Sequence, residues 1–168
     1  LPDTVGYEAG SMSEPTAVAL RAVYERARIA PGDVVLVSGP GPVGLLCVQA
    51  AKSLGATVVL AGTKGDERRL TLGQKLGADA AINVAMGSLE AVEAMTQGLG
   101  ADVAIECGGS EVSLAQCITH ARNGAQLVLV GLFGCGIEVL PIGLGGQRSH
   151  VADQLVGMSL HQRIALVR

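Results

Sequence analysis

The stretch Val34-Val35-Leu36-Val37-Ser38-Gly39-Pro40-Gly41-Pro42-Val43-Gly44 decides the fold of this chain of 168 residues. It begins with a continuous apolar run, which is typical of a strand buried on both faces of a sheet. A glycine-rich segment follows directly, and apolar residues at helical spacing then continue to Leu54, where Gly55 ends the pattern. The stretch therefore predicts a strand, a tight loop and a helix in direct succession.

The same alternation continues along the chain. The predicted strands are Val34–Ser38, Thr57–Ala61, Ala80–Asn83, Asp102–Glu106 and Gln126–Val130. The predicted helices are Glu14–Arg28, Pro42–Leu54, Asp66–Leu76, Ser88–Gln97 and Ser110–Ala121, with Ser13, Ser88 and Ser110 as N-caps. Strands that alternate with helices through short connections indicate a parallel sheet with helices on both faces. We therefore predict an α/β fold, a doubly wound parallel sheet in a single domain.

Charge and composition exclude several classes of function. The net charge is −3 and no segment is strongly basic, which argues against nucleic acid as a partner. No apolar run reaches the roughly 20 residues that a membrane-spanning helix needs, so we predict no membrane partner. The four cysteines, Cys47, Cys107, Cys117 and Cys135, form no CxxC pair. We therefore expect reduced, partly buried thiols and a cytoplasmic protein.

The segment from Gly39 to Gly44 matches the pattern GxGxxG between a predicted strand and a predicted helix. In that setting Gly39 permits the tight turn, Gly41 lets a pyrophosphate approach the backbone, and Gly44 lets the helix pack closely on the strand. The first helical turn, which includes Pro42 and Val43, offers unpaired N–H groups to the phosphates. We interpret the segment as the phosphate-binding loop of a Rossmann-type dinucleotide-binding domain. The alternative is a purely structural turn.

The end of the second predicted strand bears on the choice between NAD and NADP. NAD-binding domains place an Asp or Glu there, about twenty residues past the glycines, to bind the adenosine ribose. This chain has Gly62 at that place, followed by the hydroxyl of Thr63 and the positive charge of Lys64. Because glycine leaves room and the cation attracts an anion, the strand end favours a 2′-phosphate, and hence NADP over NAD.

Neighbouring helical residues leave alternatives open. Arg68 and Arg69 add positive charge near the strand end, although arginines in a first helical turn can equally well lie in solvent. Asp66 or Glu67 could instead reach back to the ribose and bind NAD. We include Arg68 in the predicted cofactor site, together with the three residues of the strand end.

Short matches in a fixed order point to one family. The matching segments are Leu1-Pro2-Asp3, Glu14-Pro15, Pro31–Val37, the glycine loop with Gly44-Leu45-Leu46, Gln49–Lys52, Leu54-Gly55-Ala56, Gly77-Ala78-Asp79, Val103–Cys107 and Val130–Gly134. Together they resemble the cofactor-binding domain of zinc-type medium-chain dehydrogenases, the group of alcohol, polyol (sorbitol-like) and threonine dehydrogenases. The resemblance covers about residues 1–140, which makes it far more specific than the glycine loop alone.

The resemblance implies that two further loops contact the cofactor. Cys107 and Gly108 follow the fourth strand, and Val130, Gly131 and Leu132 follow the fifth. In the family, these loops lie beside the adenosine and nicotinamide halves of the dinucleotide. They offer mostly backbone groups, so we expect their side chains to carry little of the chemistry.

The resemblance also implies a division of the chain. Residues 1–30 correspond to a linker and helix from the junction with a catalytic domain, 31–142 to the Rossmann domain, and 143–168 to an atypical tail. No sixth strand is recognisable in that tail, so we expect it to be displaced or partly disordered. The family further implies a homo-oligomer that forms through the edge of the sheet.

Zinc chemistry is only partly represented in the sequence. The resemblance places Glu14 near the catalytic zinc of polyol-type members, although Glu14 is also a good residue for a helix start, which we favour. The Cys and His-Glu zinc ligands and the proton relay of the family's catalytic domain do not occur here. We therefore predict no catalytic residue and no metal ligand in this chain, and zinc only in a full-length parent.

In such a parent, the family implies hydride transfer between a small alcohol or polyol and the nicotinamide. We expect this chain alone to bind the cofactor without catalysis. Two alternatives are a non-catalytic NAD(P)-binding sensor or interaction module and a relative of zinc-free quinone or enoyl reductases.

Overall fold

A parallel sheet of five strands lies at the centre of the fold, in a computed structural model that describes residues 2–85 and 89–133. The strands are β1 (Val34–Ser38), β2 (Thr57–Gly62), β3 (Ala80–Asn83), β4 (Ala101–Glu106) and β5 (Ala121–Leu129). Their order in the sheet is β3-β2-β1-β4-β5, and all neighbours are parallel. The chain winds outward from β1 to β3 and then returns to place β4 beside β1. This order confirms the predicted doubly wound α/β fold.

Helices connect the strands and cover both faces of the sheet. The helices between strands are α3 (Pro42–Ser53), α4 (Glu67–Lys75), α5 (Glu90–Met95) and α6 (Glu111–Thr119). Before β1, the chain forms α1 (Tyr7–Ser11), α2 (Ser13–Leu20) and a π-helical turn (Arg21–Arg26). Among the described residues, no helix combines the length and apolar character that crossing a membrane requires.

Successive residues of β1 pack into two different hydrophobic cores. Val35 and Val37 belong to a core shared with α2, α3 and α4, whereas Leu36 belongs to a second core shared with α5 and α6. All three side chains are completely buried. The continuous apolar run that predicted β1 thus reflects a strand that is packed on both faces.

The elements from β1 to α6 agree with the prediction to within two residues, but β5 begins earlier than predicted. It starts at Ala121, which was predicted to end the preceding helix, rather than at Gln126. Ala121 pairs with Ala101, and the register then shifts before Gln126 pairs with Val103. This irregular first part, which is exposed and polar, lacks the apolar run from which strands are predicted.

The helix predicted over Glu14–Arg28 is present, but its second part is π-helical and it ends two residues early. After α2 the chain widens into the π-helical turn, and the helical conformation ends at Arg26. The side chain of Gln126 explains this end, because its Nε2 donates to the carbonyl of Arg26 (2.6 Å) and its Oε1 accepts from the N–H of Arg28 (2.7 Å). These hydrogen bonds to β5 take the place of the last helical turn.

Of the three serines predicted as N-caps, the structure confirms Ser110. Its Oγ accepts a hydrogen bond from the N–H of Ser113 at 3.1 Å. Ser13 is not a cap, because it already lies within α2. The N-cap position of α5 is held by Leu89, and Ser88 lies outside the described residues. The predictions for residues 143–168 also fall outside them.

Candidate functional site

A cavity of about 480 Å³ opens at the carboxyl ends of β1, β2 and β4. It is lined by the strand ends, the glycine loop and the first turns of α6. The strand order reverses between β1 and β4, and open α/β sheets bind their ligands at this point. The volume falls within the range of about 300–1,000 Å³ that is typical of small-molecule sites.

The cavity brings together part of the predicted cofactor site. The predicted residues that line it are Gly39, Gly41, Gly62, Thr63, Cys107 and Gly108. The predicted residues outside its lining are Pro42, Val43, Gly44, Lys64, Arg68, Val130, Gly131 and Leu132. Lys64 and Arg68, on which the preference for NADP was partly based, are exposed. Their roles in binding stay predictions.

Packing within the protein explains two of the three motif glycines. Gly39 has a φ of +108°, and a Cβ there would lie 2.7 Å from the nitrogen of Gly108. A Cβ on Gly44 would overlap the carbonyl oxygen of Gly39, so α3 packs tightly against the loop. Gly41 differs, because its φ is −71° and a Cβ there would meet nothing within 4 Å. Neither its conformation nor its packing requires glycine, and the open space beside its backbone suits a ligand.

Helix α3 begins at this open space. Pro42 is its first residue, and the first helical hydrogen bond runs from the N–H of Leu45 to the carbonyl of Gly41 (2.9 Å). The N–H groups of Val43 and Gly44 therefore precede the hydrogen-bonded ladder. Such groups, together with the positive end of the helix dipole, attract the phosphates of a ligand.

Asp66 and Arg69 organise the end of β2. One carboxylate oxygen of Asp66 accepts a hydrogen bond from the N–H of Thr63 at 3.0 Å. The other lies 3.1 Å from Nη1 of Arg69. Both side chains line the cavity, where they place one negative and one positive group. Arg68 and Arg69 are adjacent in the sequence, and the rotation of α4 against the sheet decides that Arg69 lines the cavity and Arg68 does not.

Gly62 borders the cavity but has little space beside it. A Cβ there would lie 2.9 Å from Cγ of Pro40 and 3.1 Å from Cδ2 of Leu70. Close packing therefore requires glycine at this position. The expectation that Gly62 leaves room for a phosphate is not needed to explain it, and the charges of Asp66 and Arg69 become the features that bear on cofactor choice.

Glu106, which sequence analysis did not select, ties together the loops after β4 and β5. Its Oε1 accepts hydrogen bonds from the N–H groups of Gly108 (2.7 Å) and Gly109 (2.8 Å). Its carbonyl oxygen accepts from the N–H groups of Val130 (2.8 Å) and Gly131 (3.0 Å). A carboxylate at the end of an apolar strand was the available signal, but its partners depend on tertiary structure.

The thiols near the cavity are poor nucleophiles. A hydrogen bond with Cys47 and burial raise the pKa of Cys107 well above its usual value. Burial, followed by the nearby charge of Glu106, raises the pKa of Cys117. These three cysteines are free, as predicted, and Cys135 lies outside the described residues. Since only a thiolate attacks readily, the site offers no activated cysteine.

The arrangement of possible metal ligands bears on zinc chemistry. Within residues 2–85 and 89–133, no three His, Cys, Asp or Glu side chains lie together in a way that could hold a metal ion. Glu14 is exposed in the first turn of α2, where its charge favours the helix dipole. The described residues therefore do not fit a zinc centre by themselves, and the proximity of Glu14 to a zinc ion stays a prediction.

Comparison with known proteins decides the family. A family model described as zinc-binding dehydrogenase matches residues 42–160. The chain belongs to the zinc-binding dehydrogenase family. The match includes α3, whose start is the proposed phosphate site, and continues through the described strands that follow it.

Similar proteins in this family act on sugar alcohols and their phosphates, according to their names. The chain is 36% identical to D-arabitol-phosphate dehydrogenase from Enterococcus avium over 134 residues, which are 79% of this chain and 38% of the relative. It is 40% identical to sorbitol dehydrogenase from Halalkalibacterium halodurans over 134 residues, 79% of this chain and 39% of the relative. The chain thus spans about two fifths of the length of these relatives.

A solved structure shows the same fold with a cofactor. A zinc-binding dehydrogenase from Sinorhizobium meliloti 1021, bound to NADP, superposes with a TM-score of 0.72 at 32% identity. The match covers 84% of this chain and 42% of the other.

Proposed function

We propose that this chain binds NAD(P) in the cavity at the ends of β1, β2 and β4. The observation that carries the proposal is the open space at Gly41, beside the N–H groups that begin α3. A glycine that the protein's own packing does not need, at the positive end of a helix, is explained by a pyrophosphate that lies against the backbone. Family membership supports the same conclusion, since zinc-binding dehydrogenases use such domains to hold a dinucleotide.

We propose NADP as the favoured dinucleotide. Arg69 lies on the cavity wall and can exchange its exposed ion pair with Asp66 for a 2′-phosphate. The end of β2 itself carries no carboxylate. Asp66 is the main feature in favour of NAD, because its carboxylate could accept hydrogen bonds from a ribose. The relative with bound NADP supports the assignment of NADP.

In a longer protein, we propose that the domain serves hydride transfer between the nicotinamide and a small alcohol or polyol. The nicotinamide supplies the hydride acceptor, while the chain holds the phosphates at α3 and sets the cavity wall through Cys107 and Gly108. A metal ion would polarise the substrate oxygen, and the described residues provide no set of ligands to hold one. We therefore propose that the chain alone binds the cofactor without turning over an alcohol.

We propose that the chain forms a cytoplasmic homo-oligomer through a sheet edge. Within the described residues β5 is the outer strand on one side of the sheet. Light scattering after size exclusion tests the oligomeric state. We expect a mass of twice 17.0 kDa or more, and the mass of a monomer would contradict the proposal.

Calorimetric titration of the chain with NADPH and with NADH, in the same buffer, tests the function directly. We expect both to bind in one-to-one stoichiometry, with NADPH several-fold tighter. Absence of binding by both at millimolar concentration would overturn the proposed function. Tighter binding of NADH would overturn the NADP assignment and leave the dinucleotide site in place.

A further inference from the structure

Glu106 is the only charged residue among the described ones that is completely buried. It is the last residue of β4. Its Oε1 accepts hydrogen bonds from two successive N–H groups of the loop after β4, and its carbonyl oxygen accepts from two successive N–H groups of the loop after β5. Its second carboxylate oxygen, Oε2, is buried and has no hydrogen-bond partner among the described residues. Burial of an incompletely paired carboxylate costs free energy, so a packing role alone would be filled better by an apolar side chain.

The two loops that Glu106 holds also fit closely against each other. Gly109 has a φ of +66°, and a Cβ there would overlap the carbonyl oxygen of Leu132. A Cβ on Gly131 would overlap both Oε2 of Glu106 and the nitrogen of Gly109. Because no side chain separates these backbones, a shift of the Glu106 carboxylate moves both loops together.

One of the two loops forms part of the cavity wall. Gly108 lines the cavity directly, and its N–H is one of the groups bound to Oε1. Gly108 also packs against Gly39 of the glycine loop, where a Cβ would lie 2.7 Å from its nitrogen. Glu106 therefore fixes the position of Gly108, and Gly108 in turn packs against the glycine loop.

We propose that Glu106 is a positioning residue that sets both loops for the dinucleotide. This inference rests on the proposed function. Two backbone N–H groups converge on a single side-chain oxygen here, and two more converge on the carbonyl oxygen of the same residue. The carboxylate thus holds glycine-rich backbone, which has no side chains of its own to fix it, in the arrangement that the cavity requires.

The test compares E106A and E106Q with the matched core variant V59A. Val59 is also completely buried but lies in the core on β2, away from both loops. We expect E106A to weaken NADPH binding by about tenfold or more, since the two hydrogen bonds that Oε1 accepts are lost. E106Q keeps an oxygen acceptor and should stay within about threefold of the wild type. V59A should lower the melting temperature but leave the NADPH dissociation constant within about twofold, because Val59 does not line the cavity.

Amide hydrogen exchange of the cofactor-free protein gives a second readout. We expect exchange at Gly108 and Gly109 to accelerate in E106A, with strand β1 still protected, and to stay slow in E106Q and V59A. Unchanged NADPH affinity in E106A, or an equal loss of affinity in V59A, would overturn the role of Glu106. If E106A does not fold, E106Q should bind NADPH more tightly than E106D, whose shorter carboxylate cannot reach both N–H groups, and the reverse order would overturn the inference. A wild-type chain that binds no dinucleotide would instead overturn the proposed function, while the exchange measurement would still test the contact.

Discussion

Asp66 and Arg69 form an ion pair on the wall of the cavity, with Oδ1 of the aspartate 3.1 Å from Nη1 of the arginine. The Asp66 side chain is 13% exposed, whereas that of Arg69 is 61% exposed. Asp66 is held in addition by the N–H of Thr63, so Arg69 is the more exposed and less constrained partner. Because the arginine end of the pair lies largely in solvent, where an ion pair contributes about 1 kcal/mol or less, Arg69 can leave it for a stronger anion at little cost.

Substitution R69Q should weaken binding of NADPH more than binding of NADH. Arg69 would contact only the 2′-phosphate, and loss of one charged contact corresponds to about a tenfold change. R68Q is the matched control, because Arg68 has the same charge on the same helix but does not line the cavity. Titration of both variants with both cofactors checks this, and a larger effect of R68Q would restore the assignment made from sequence.

Substitution D66N separates the two possible roles of Asp66. If the 2′-phosphate binds here, removal of the negative charge should raise the affinity for NADPH by about threefold at low salt and leave NADH little changed. The asparagine oxygen can still accept the hydrogen bond from Thr63, so the turn should persist. A selective loss of NADH affinity in the same titrations would show that Asp66 binds the ribose, contrary to the NADP assignment.

Substitution G41V should reduce binding without unfolding the chain. A side chain at Gly41 enters open space, so the free energy of unfolding should change by no more than about 1 kcal/mol, the typical effect of an N-cap change. Pyrophosphate could then no longer approach the backbone, and NADPH affinity should fall by at least about tenfold.

G6V is the matched control for that variant. Gly6 is also an N-cap, with φ −67° and ψ 163° against −71° and 177° at Gly41, and a Cβ there also meets nothing within 4 Å. It begins α1, and it does not line the cavity. Equal affinities of G6V and G41V for NADPH would contradict a pyrophosphate at Gly41.

The pH dependence of stability should reflect Asp79. Burial alone would raise the pKa of Asp79, but the hydrogen bond from Val58 N–H and the Lys52 ammonium, 2.9 Å away, outweigh it and lower the pKa below 3.8. A lowered pKa in the folded state stabilises the fold above the unfolded pKa, and the effect is lost as pH falls through the folded pKa. D79N should therefore destabilise the chain by about 1 kcal/mol near pH 7, since both side chains are about one-third exposed and screened by solvent.

Urea denaturation of wild type and D79N, once near pH 7 and once at a pH below 3.8, checks this prediction. The difference between them should be full near pH 7 and should shrink as the pH falls through the folded-state pKa of Asp79, which lies below 3.8. A difference that is equally large at both pH values would mean that Asp79 acts through its shape and not its charge.

Local patterns were sufficient to predict the strands and the glycine loop. The run from Val34 to Ser38 is apolar at every position because β1 is buried on both faces, and Gly55 and Gly77, with φ of +82° and +111°, end α3 and α4 where the patterns stop. Contacts between distant residues could not be read in this way. Gln126 ends the first helical region from 100 positions away, and nothing in either segment alone indicates the contact.

The same distinction between local patterns and distant contacts applies to the residues of the candidate site. Gly39 and Gly41 follow from the motif, because its spacing between a strand and a helix fixes their positions. The role of Arg69 is separated from that of Arg68 only in the structure, because it depends on the rotation of α4 against β2. The role of Glu106 depends on loops that meet after folding.

The central claim is that a dinucleotide lies across the carboxyl ends of β1, β2 and β4. Titration of the ¹⁵N-labelled chain with NADPH, followed through its amide resonances, tests this most directly. We predict that the largest shifts occur at Gly41, Val43, Gly44, Thr63 and Gly108, with those of α1 unchanged. Shifts confined to residues outside the cavity, or none at saturating NADPH, would contradict it.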